Sequence, residues 1–217
     1  MRCELYVITD PLLGCGRSHE EITRLAIDGG ADVVQLRDKT SDTRDMLMAG
    51  RRMRKVTRAA DVLFIVNDRV DVALACRADG VHLGQNDLPV DVARALAPSE
   101  FTIGASVSHA AEAVQAVQEG ADYVAASPVF LTTSKHDAGA GCGIAGIKQI
   151  KKAVDVPVIA IGGIGLNNVH TVLRAGADGV AVISAVVSQP NITRAAQDLK
   201  NRIVEIKTGF TKQHHSW

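Results

Sequence analysis

The stretch Gly120-Ala121-Asp122-Tyr123 ends one predicted helix and begins one predicted strand. Three related stretches occur along the chain: Gly30-Ala31-Asp32-Val33, Arg77-Ala78-Asp79-Gly80 and Gly176-Ala177-Asp178-Gly179. Glycine in three of the four suits the left-handed backbone that follows many helices, and a strand-like run follows each stretch. Their spacing is too long for a solenoid repeat and fits about two βα units per interval.

The alternation of strands and helices extends over the whole chain. Most strand-like runs are continuously apolar, as expected when both faces of a parallel sheet are covered. Strands are predicted at 4–9, 32–37, 63–67, 80–83, 101–106, 123–127, 158–161 and 179–183. Helices are predicted at 19–28, 43–59, 70–76, 89–96, 110–119, 146–153, 168–175 and 192–206. Eight of each predict an α/β fold, a (β/α)8 TIM barrel, and a doubly wound open sheet is the competing fold.

No linker or low-complexity stretch divides the chain, so a single barrel domain is predicted over residues 1–208. Periodicity is lost over residues 209–217, which are predicted to form a frayed C-terminal tail. His214 and His215 lie in that tail and are interpreted as solvated residues rather than metal ligands.

The composition excludes several classes of partner. The 217 residues are 47% hydrophobic and carry 24 basic and 24 acidic side chains, so the net charge favours neither nucleic acid nor a membrane surface. Four cysteines without paired spacing predict neither disulfides nor a zinc site. No signal peptide and no membrane-spanning run is recognised, and a cytoplasmic protein is expected. Nothing in the sequence indicates an oligomeric state.

The predicted strand ends carry cations and carboxylates. Gln35, Arg37 and Lys39 are two residues apart, so an extended backbone points all three to one side, where the two cations suit phosphate oxygens. An ion pair of Arg37 or Lys39 with Asp32 or Asp38 is the alternative interpretation.

Two acids follow neighbouring predicted strands. Asp68 comes directly after Asn67, and Asp87 ends the stretch from Gly84. Side by side the two carboxylates would repel each other. A Mg²⁺ ion would remove that repulsion, because it binds one or two carboxylates and completes its shell with water and substrate phosphate. Capping of the following helices is the alternative role for both acids.

Further candidate anion ligands follow the later strands. Ser106 offers a hydroxyl, although capping near Ser108 competes, and a long loop carries Thr132, Thr133, Ser134 and Lys135. Gly162 and Gly163 after the seventh strand, with Ile183 and Ser184 after the eighth, lie where barrels commonly bind phosphate through backbone N–H groups. Two anion sites in one barrel mouth predict two phosphorylated small-molecule substrates.

With these segments in view, the chain resembles the thiamine phosphate synthase family from about Tyr6 to Lys207. The motifs that carry the resemblance are residues 35–39, Val66-Asn67-Asp68, residues 81–87, Gly104-Ala105-Ser106, residues 132–135, Ile161-Gly162-Gly163 and Val182-Ile183-Ser184. The resemblance implies a (β/α)8 barrel that joins 4-amino-2-methyl-5-(diphosphooxymethyl)pyrimidine to a thiazole phosphate, which can be carboxylated. The products are thiamine phosphate and pyrophosphate, and the implied reaction is dissociative.

The resemblance also assigns roles. Asp68 and Asp87 would hold Mg²⁺, and Arg37, Ser106 and Lys135 would be catalytic. The pyrimidine diphosphate would bind to Gln35, Leu36, Arg37, Asp38, Lys39, Asn67, Ser106 and Lys135. The thiazole phosphate would bind to Thr132, Thr133, Ser134, Gly163, Ile183 and Ser184. Asp38 stands where the family usually has glutamate, and Leu131, Thr133 and the Ala126-Ser127 pair also depart from its pattern.

Three alternatives share the barrel. A thiazole tautomerase would need neither the paired aspartates nor the diphosphate ligands, and would be expected to carry a histidine where this chain has Ser127. A phosphate-binding sugar or tryptophan isomerase would need an acid–base pair at the strand ends, which cannot be assigned here. A protein that binds thiamine precursors without turnover is the third alternative.

Overall fold

Eight parallel strands close into a barrel in the computed structural model, which describes residues 3–131 and 141–213. Each strand pairs with the next, and the last pairs with the first through Leu5 and Val180. The strands are β1 (Leu5–Ile8), β2 (Val33–Leu36), β3 (Leu63–Asn67), β4 (Gly80–Leu83), β5 (Thr102–Val107), β6 (Tyr123–Ala126), β7 (Val158–Ile161) and β8 (Gly179–Val182). The predicted TIM barrel is confirmed, and the open sheet is excluded.

Helices follow the strands in the expected order. They are α1 (His19–Asp28), α2 (Thr43–Ala60), α3 (Val70–Ala75), α4 (Val90–Leu96), α5 (Ala110–Gln118), α6 (Gly143–Ala153), α7 (Val169–Arg174), α8 (Ser184–Val187) and α9 (Ile192–Gln213). Most bounds agree with the sequence to within one residue. The short helix α8 was not predicted, because four residues are too few to show helical periodicity.

The last helix is longer than its predicted end at Ile206. Helical backbone continues to Gln213, so the loss of structure predicted from Gly209 is not observed over residues 209–213. A single glycine costs a helix only about 1 kcal/mol, which explains why Gly209 does not end it. His214 and His215 lie outside the described residues.

The four related stretches have one structural role at the amino-terminal ends of the strands. The aspartate of each accepts a backbone N–H from the preceding odd-numbered strand. The four bonds are Leu5 N to Asp32 Oδ2 (2.9 Å), Phe64 N to Asp79 Oδ2 (2.8 Å), Ile103 N to Asp122 Oδ2 (2.7 Å) and Val158 N to Asp178 Oδ2 (2.7 Å). Each aspartate also contacts a cation, in order Lys200, Arg54, Arg94 and Lys151. The motif therefore joins strands in pairs, which explains its recurrence every two βα units.

The residue that precedes Ala-Asp in each stretch has left-handed backbone. Gly30, Gly120 and Gly176 have φ values of 91°, 105° and 103°, as predicted for glycine after a helix. In the fourth stretch Arg77 adopts the same region with φ 58°. Arginine there has a steric cost that glycine avoids.

Buried apolar side chains form two clusters, one outside the sheet and one inside it. The larger cluster lies between the sheet and the helices. The smaller lies inside the barrel and contains Cys3, Tyr6, Ile8, Val33, Ile65, Tyr123, Ile159 and Ala181. This interior cluster forms the floor beneath the carboxyl-terminal ends of the strands. In residues 3–131 and 141–213, no helix is long and apolar enough to cross a membrane.

Candidate active site

A cavity of about 880 Å³ opens at the carboxyl-terminal ends of the strands. The predicted site residues that line it are Gln35, Arg37, Lys39, Asn67, Asp68, Asp87, Ser106, Gly163, Ile183 and Ser184. Residues far apart in sequence thus converge on one cavity, as the barrel fold requires. Thr132, Thr133, Ser134 and Lys135 lie outside the described residues.

Two predicted substrate-binding side chains do not line this cavity. Leu36 is fully buried in the cluster between sheet and helices, because alternate residues of a strand face opposite sides. Asp38 accepts hydrogen bonds from Thr40, Ser41 and His19 on the far side of the same loop. The side chains of Leu36 and Asp38 thus face away from the cavity, whereas those of Gln35, Arg37 and Lys39 line it, as the period-two spacing predicts.

Asp68 and Asp87 come together as predicted. Burial, together with hydrogen-bonding and electrostatic interaction with Asp68, raises the pKa of Asp87 above its ordinary value. Lys39 Nζ lies 2.5 Å from Asp68 Oδ2, and Gly84 N donates to Asp87 Oδ2 over 2.7 Å. Neither acid caps a helix, since Arg69 and Pro89 occupy the N-cap positions of α3 and α4 without a side-chain cap. The capping alternative is wrong for both.

This pair fits a hard divalent cation. Among the described residues, no group of three or more His, Cys, Asp or Glu side chains gathers to form a complete protein cage. Two partly buried carboxylates, one already beside the Lys39 ammonium group, are the donor set that Mg²⁺ uses when water and phosphate oxygens supply the rest of its shell.

Arg37 is held by a partner that the sequence did not reveal. Its Nη1 donates to Asp10 Oδ2 over 2.6 Å, and both side chains are largely buried. Asp10 Oδ1 in turn accepts from Leu12 N and Leu13 N. The alternative pairs with Asp32 and Asp38 do not form for Arg37. Its guanidinium group is thereby fixed at the cavity wall with other N–H donors left for an anion.

A buried row of polar groups supports the loops behind Arg37. Thr9 Oγ1 lies 2.7 Å from His19 Nδ1, and His19 Nε2 lies 3.2 Å from Asp38 Oδ2. Burial lowers the pKa of His19 against the opposing effect of Asp38. Burial alone would raise the pKa of Asp38, but hydrogen bonds from Ser41, Thr40 and His19 lower it below its usual range. Thr9 is fully buried, so this row orders loops and does not offer a nucleophile.

The loops after β7 and β8 form the other side of the cavity. Gly162 and Gly163 have φ values of 106° and 62°, and a Cβ on Gly163 would lie 2.7 Å from Leu131 O. Asn168 holds the loop by donating to Gly163 O and accepting from Gly165 N, both at 2.8 Å. After β8 the chain turns directly into α8. Paired loops and a short extra helix at this position are the usual phosphate-binding elements of the fold.

Sequence reasoning missed a hydrogen-bonded row along the floor of the cavity. Gln35, Tyr6, Tyr123, His82 and Ser106, called here the interior chain, are joined side chain to side chain across the barrel. The signal was available in the strand alternation, which turns Tyr6, Tyr123 and His82 toward the barrel axis.

The fold and the cavity together define an enzyme of the (β/α)8-barrel class with carboxylates and cations gathered at the carboxyl-terminal ends of its strands. The family model described as thiamine monophosphate synthase matches residues 5–186. The chain belongs to this family, and its activity is that of a thiamine-phosphate synthase, a transferase.

Individual relatives agree over nearly the whole chain. The thiamine-phosphate synthase of Methanoregula boonei is 59% identical over 98% of this chain and 99% of the relative. That of Methanoculleus marisnigri is 58% identical over 95% and 98%. Among solved structures, thiamine phosphate pyrophosphorylase from Pyrococcus furiosus matches with a TM-score of 0.88 and 44% identity over 94% of this chain and 97% of that chain. A 3-hexulose-6-phosphate synthase at 18% identity and a TM-score of 0.69 shares the fold alone.

Proposed function

We propose that the chain performs its synthase reaction by Mg²⁺-assisted departure of pyrophosphate from 4-amino-2-methyl-5-(diphosphooxymethyl)pyrimidine, followed by capture of the pyrimidinylmethyl cation by a thiazole phosphate nitrogen. The observation that carries this proposal is the convergence of Asp68 and Asp87 beside Lys39 and across the cavity from the β7 and β8 loops. The thiazole substrate is one phosphate ester, which can arrive as its carboxylated tautomer.

The diphosphate side of the cavity is assigned to Arg37, Lys39, Asn67, Asp68 and Asp87. The resemblance adds Lys135 as a diphosphate ligand, and this residue lies outside the described part of the chain. Arg37 is held rigidly by Asp10, so its free N–H groups are aimed before substrate binds. Asp68 and Asp87 would hold Mg²⁺, which would neutralise charge on the leaving pyrophosphate. Negative charge grows on that group as the C–O bond breaks, so fixed cations stabilise the transition state more than the ground state.

The thiazole phosphate side is assigned to Gly163, Ile183 and Ser184. The resemblance adds Thr132, Thr133 and Ser134 as thiazole phosphate ligands, and these lie outside the residues that the structure describes. Glycine at 163 leaves the loop backbone open to a phosphate group, and the turn from β8 into α8 brings Ile183 and Ser184 to the same wall. Anchoring the phosphate holds the nucleophilic nitrogen beside a short-lived cation, which is a positioning task that needs no general base.

The thiazole tautomerase alternative fits this cavity less well. Isomerisation of one phosphate ester has no use for two converging carboxylates with a lysine beside them. Ser127 lines the cavity where that relative's histidine would be expected.

A cytoplasmic location is a further proposal. It is supported by the four cysteines, all of which are free thiols: Cys3, Cys15, Cys76 and Cys142.

The decisive assay incubates the protein with both phosphorylated precursors and Mg²⁺ and follows thiamine phosphate and pyrophosphate together. We expect equal amounts of the two products, and no turnover after chelation until Mg²⁺ is restored. Product formation that is indifferent to the chelator would refute the metal-assisted mechanism. Isomerised thiazole phosphate without pyrophosphate would instead identify a tautomerase.

A further inference from the structure

The side chain of Asp38 is the buried centre of an exposed loop, residues 38–41. That side chain is 5% exposed, although Lys39, Thr40 and Ser41 beside it are exposed. Asp38 Oδ1 accepts from Thr40 N and from Ser41 N, both over 2.9 Å, and Asp38 Oδ2 accepts from Ser41 Oγ over 2.6 Å. These bonds lie within the loop, so they fix its shape but not its position on the barrel.

His19 joins this loop to another element. It is the first residue of α1, and its Nε2 lies 3.2 Å from Asp38 Oδ2. In residues 3–131 and 141–213, no other side chain from outside the loop donates a hydrogen bond to Asp38. A carboxylate can only accept, so His19 Nε2 carries a proton whether the ring is neutral or charged.

The other ring nitrogen of His19 is held from the barrel side. Nδ1 lies 2.7 Å from Thr9 Oγ1, and Thr9 is fully buried directly after β1. Thr9 Oγ1 also lies 3.0 Å from Gln35 O, at the neighbouring strand β2. The imidazole ring is therefore fixed between the barrel wall and Asp38, and it ties the position of the loop to that of the strands.

On its outer side the loop borders a cleft of about 490 Å³, called here the outer cleft. Residues of its lining include Leu12, His19, Asp38, Ser41 and Met48. Leu12 is 77% and Met48 is 45% exposed, so neither side chain packs closely against the loop. Because packing is sparse on this side, the hydrogen bond from His19 carries more of the constraint on the loop.

On its inner side the same loop presents Lys39 to the cavity. Lys39 Nζ lies 2.5 Å from Asp68 Oδ2, whereas the preceding residue, Asp38, faces His19. One short segment thus has its anchor on one side and a candidate diphosphate ligand on the other. A displacement of about 1 Å at such a position can cost much of a reaction rate, so the anchor affects catalysis without touching substrate.

We propose that His19 is a positioning residue, which holds loop 38–41 through Asp38 and so places Lys39 for the departing diphosphate. The role of Lys39 in this inference rests on the proposed function. His19 lines the outer cleft and not the cavity, so its effect on the reaction is exerted through the loop.

The anchoring is measured in the free protein, by hydrogen exchange of the Thr40 and Ser41 amides. Two substitutions separate the two bonds of the ring: His19→Gln keeps an N–H donor at about the reach of Nε2, and His19→Asn keeps one at about the reach of Nδ1. We expect about tenfold faster exchange in His19→Asn and a rate within about threefold of the wild type in His19→Gln. Unchanged exchange in His19→Asn would overturn the anchoring, whatever the outcome for the proposed reaction.

Steady-state kinetics test whether the anchoring serves the diphosphate. We expect His19→Asn to lower kcat about tenfold, as for one lost hydrogen bond to a charged group, and to change the KM for the thiazole phosphate by less than about twofold. His19→Gln should recover most of the lost kcat. An equal loss of kcat in His19→Gln and His19→Asn would overturn the proposal.

Thr23→Val is the matched control for a general weakening of α1. Thr23 is fully buried one turn further along the helix, and its Oγ1 donates to His19 O over 2.7 Å. The variant loses a buried hydrogen bond of the same helix but not the bond to Asp38, so its kinetics should equal those of the wild type. A loss of kcat in Thr23→Val as large as that in His19→Asn would reduce His19 to a role in helix stability.

A double-mutant cycle with Lys39→Gln tests whether His19 acts through Lys39. In that background His19→Asn should lower kcat by less than about twofold, because the residue that it places is absent. The full tenfold loss in both backgrounds would overturn the inference alone. Wild-type kinetics of Lys39→Gln would instead refute the diphosphate assignment, and the positioning role would fall with it. If His19→Asn does not fold, Asp38→Asn weakens the same bond from its other end and replaces it in the cycle.

Discussion

Lys39 Nζ lies 2.5 Å from Asp68 Oδ2 at the mouth of the barrel, with the lysine side chain 48% and the aspartate 20% exposed. A partly solvated pair of this kind adds only about 0–1 kcal/mol to stability. Its importance lies in the site, where one cation stands beside one of two converging carboxylates. Substitutions at these positions are therefore expected to affect ligand binding far more than folding.

Asp68→Asn should remove most turnover and leave the thermal melt nearly unchanged. Asn keeps the size of the side chain and tolerates the left-handed backbone at this position, where φ is 62°. Loss of a charged metal ligand should lower kcat/KM by about 100-fold or more, judged by the loss of single electrostatic groups in other sites. The control is Asp91→Asn, an exposed acid in the first turn of α4, which should match the wild type. A melt lowered by several degrees in Asp68→Asn would restore a structural role for this acid.

Arg37→Lys should lower kcat more than it raises the KM for the pyrimidine diphosphate. Lysine retains the charge but cannot hold Asp10 and an anion at once with a planar group, so transition-state charge is less well stabilised. We expect about a 100-fold loss of kcat in steady-state assays. Arg52→Lys, on an exposed arginine that pairs loosely with Glu20 at 3.7 Å, serves as the control. A change confined to KM would mean that Arg37 binds ground state and transition state equally.

Gly163→Ala should raise the KM for the thiazole phosphate by about tenfold and the KM for the pyrimidine diphosphate by less than about twofold, as expected for one lost interaction worth about 1.4 kcal/mol. A methyl group there meets Leu131 O at 2.7 Å and forces the loop away from the phosphate wall. Gly16→Ala controls for backbone strain, because Gly16 also has positive φ but an added Cβ has no neighbour within 4 Å. Equal effects on both substrates would argue against two separate anion sites.

Arg77→Gly should stabilise the fold without changing activity. Arg77 is exposed and has φ 58° in the stretch where the three related positions are glycine. Glycine removes the steric cost of the left-handed backbone, but it also raises the conformational entropy of the unfolded chain. The balance of the two effects predicts a gain of about 0.5 kcal/mol in the free energy of unfolding. Arg77→Val, which is β-branched, should instead lose about 1 kcal/mol. Denaturant titration distinguishes the two, and a loss in Arg77→Gly would show that the arginine has a compensating role.

Much of this fold could be predicted from local patterns in the sequence. Continuous apolar runs located the strands, and period-two spacing turned Gln35, Arg37 and Lys39 to the same side. Relations between distant residues were less accessible. The Asp10 partner of Arg37 lies 27 residues away on another loop, and the Tyr6–Tyr123 contact spans 117 residues. Those pairings depend on the register between strands of the barrel, which a short segment of sequence does not reveal.

Helix capping was the competing sequence interpretation at several of these positions. Asp68 and Asp87 stand where helix caps are common, yet a left-handed residue at Asp68 and a turn from Gly84 to Asp87 direct both carboxylates to the cavity. The helix N-cap with a side-chain bond after β5 is His109, which accepts from Glu112 N. Ser106 is thereby left to the interior chain rather than to the helix.

The central claim is that Asp68 and Asp87 jointly hold Mg²⁺ against a diphosphate. Calorimetric titration of pyrophosphate, with and without Mg²⁺, tests this in the wild type and in the Asp68→Asn, Asp87→Asn double variant. The account predicts that Mg²⁺ tightens pyrophosphate binding at least about tenfold in the wild type, a coupling of about 1.4 kcal/mol, and has no such effect in the double variant. Equal tightening by Mg²⁺ in both proteins would contradict it.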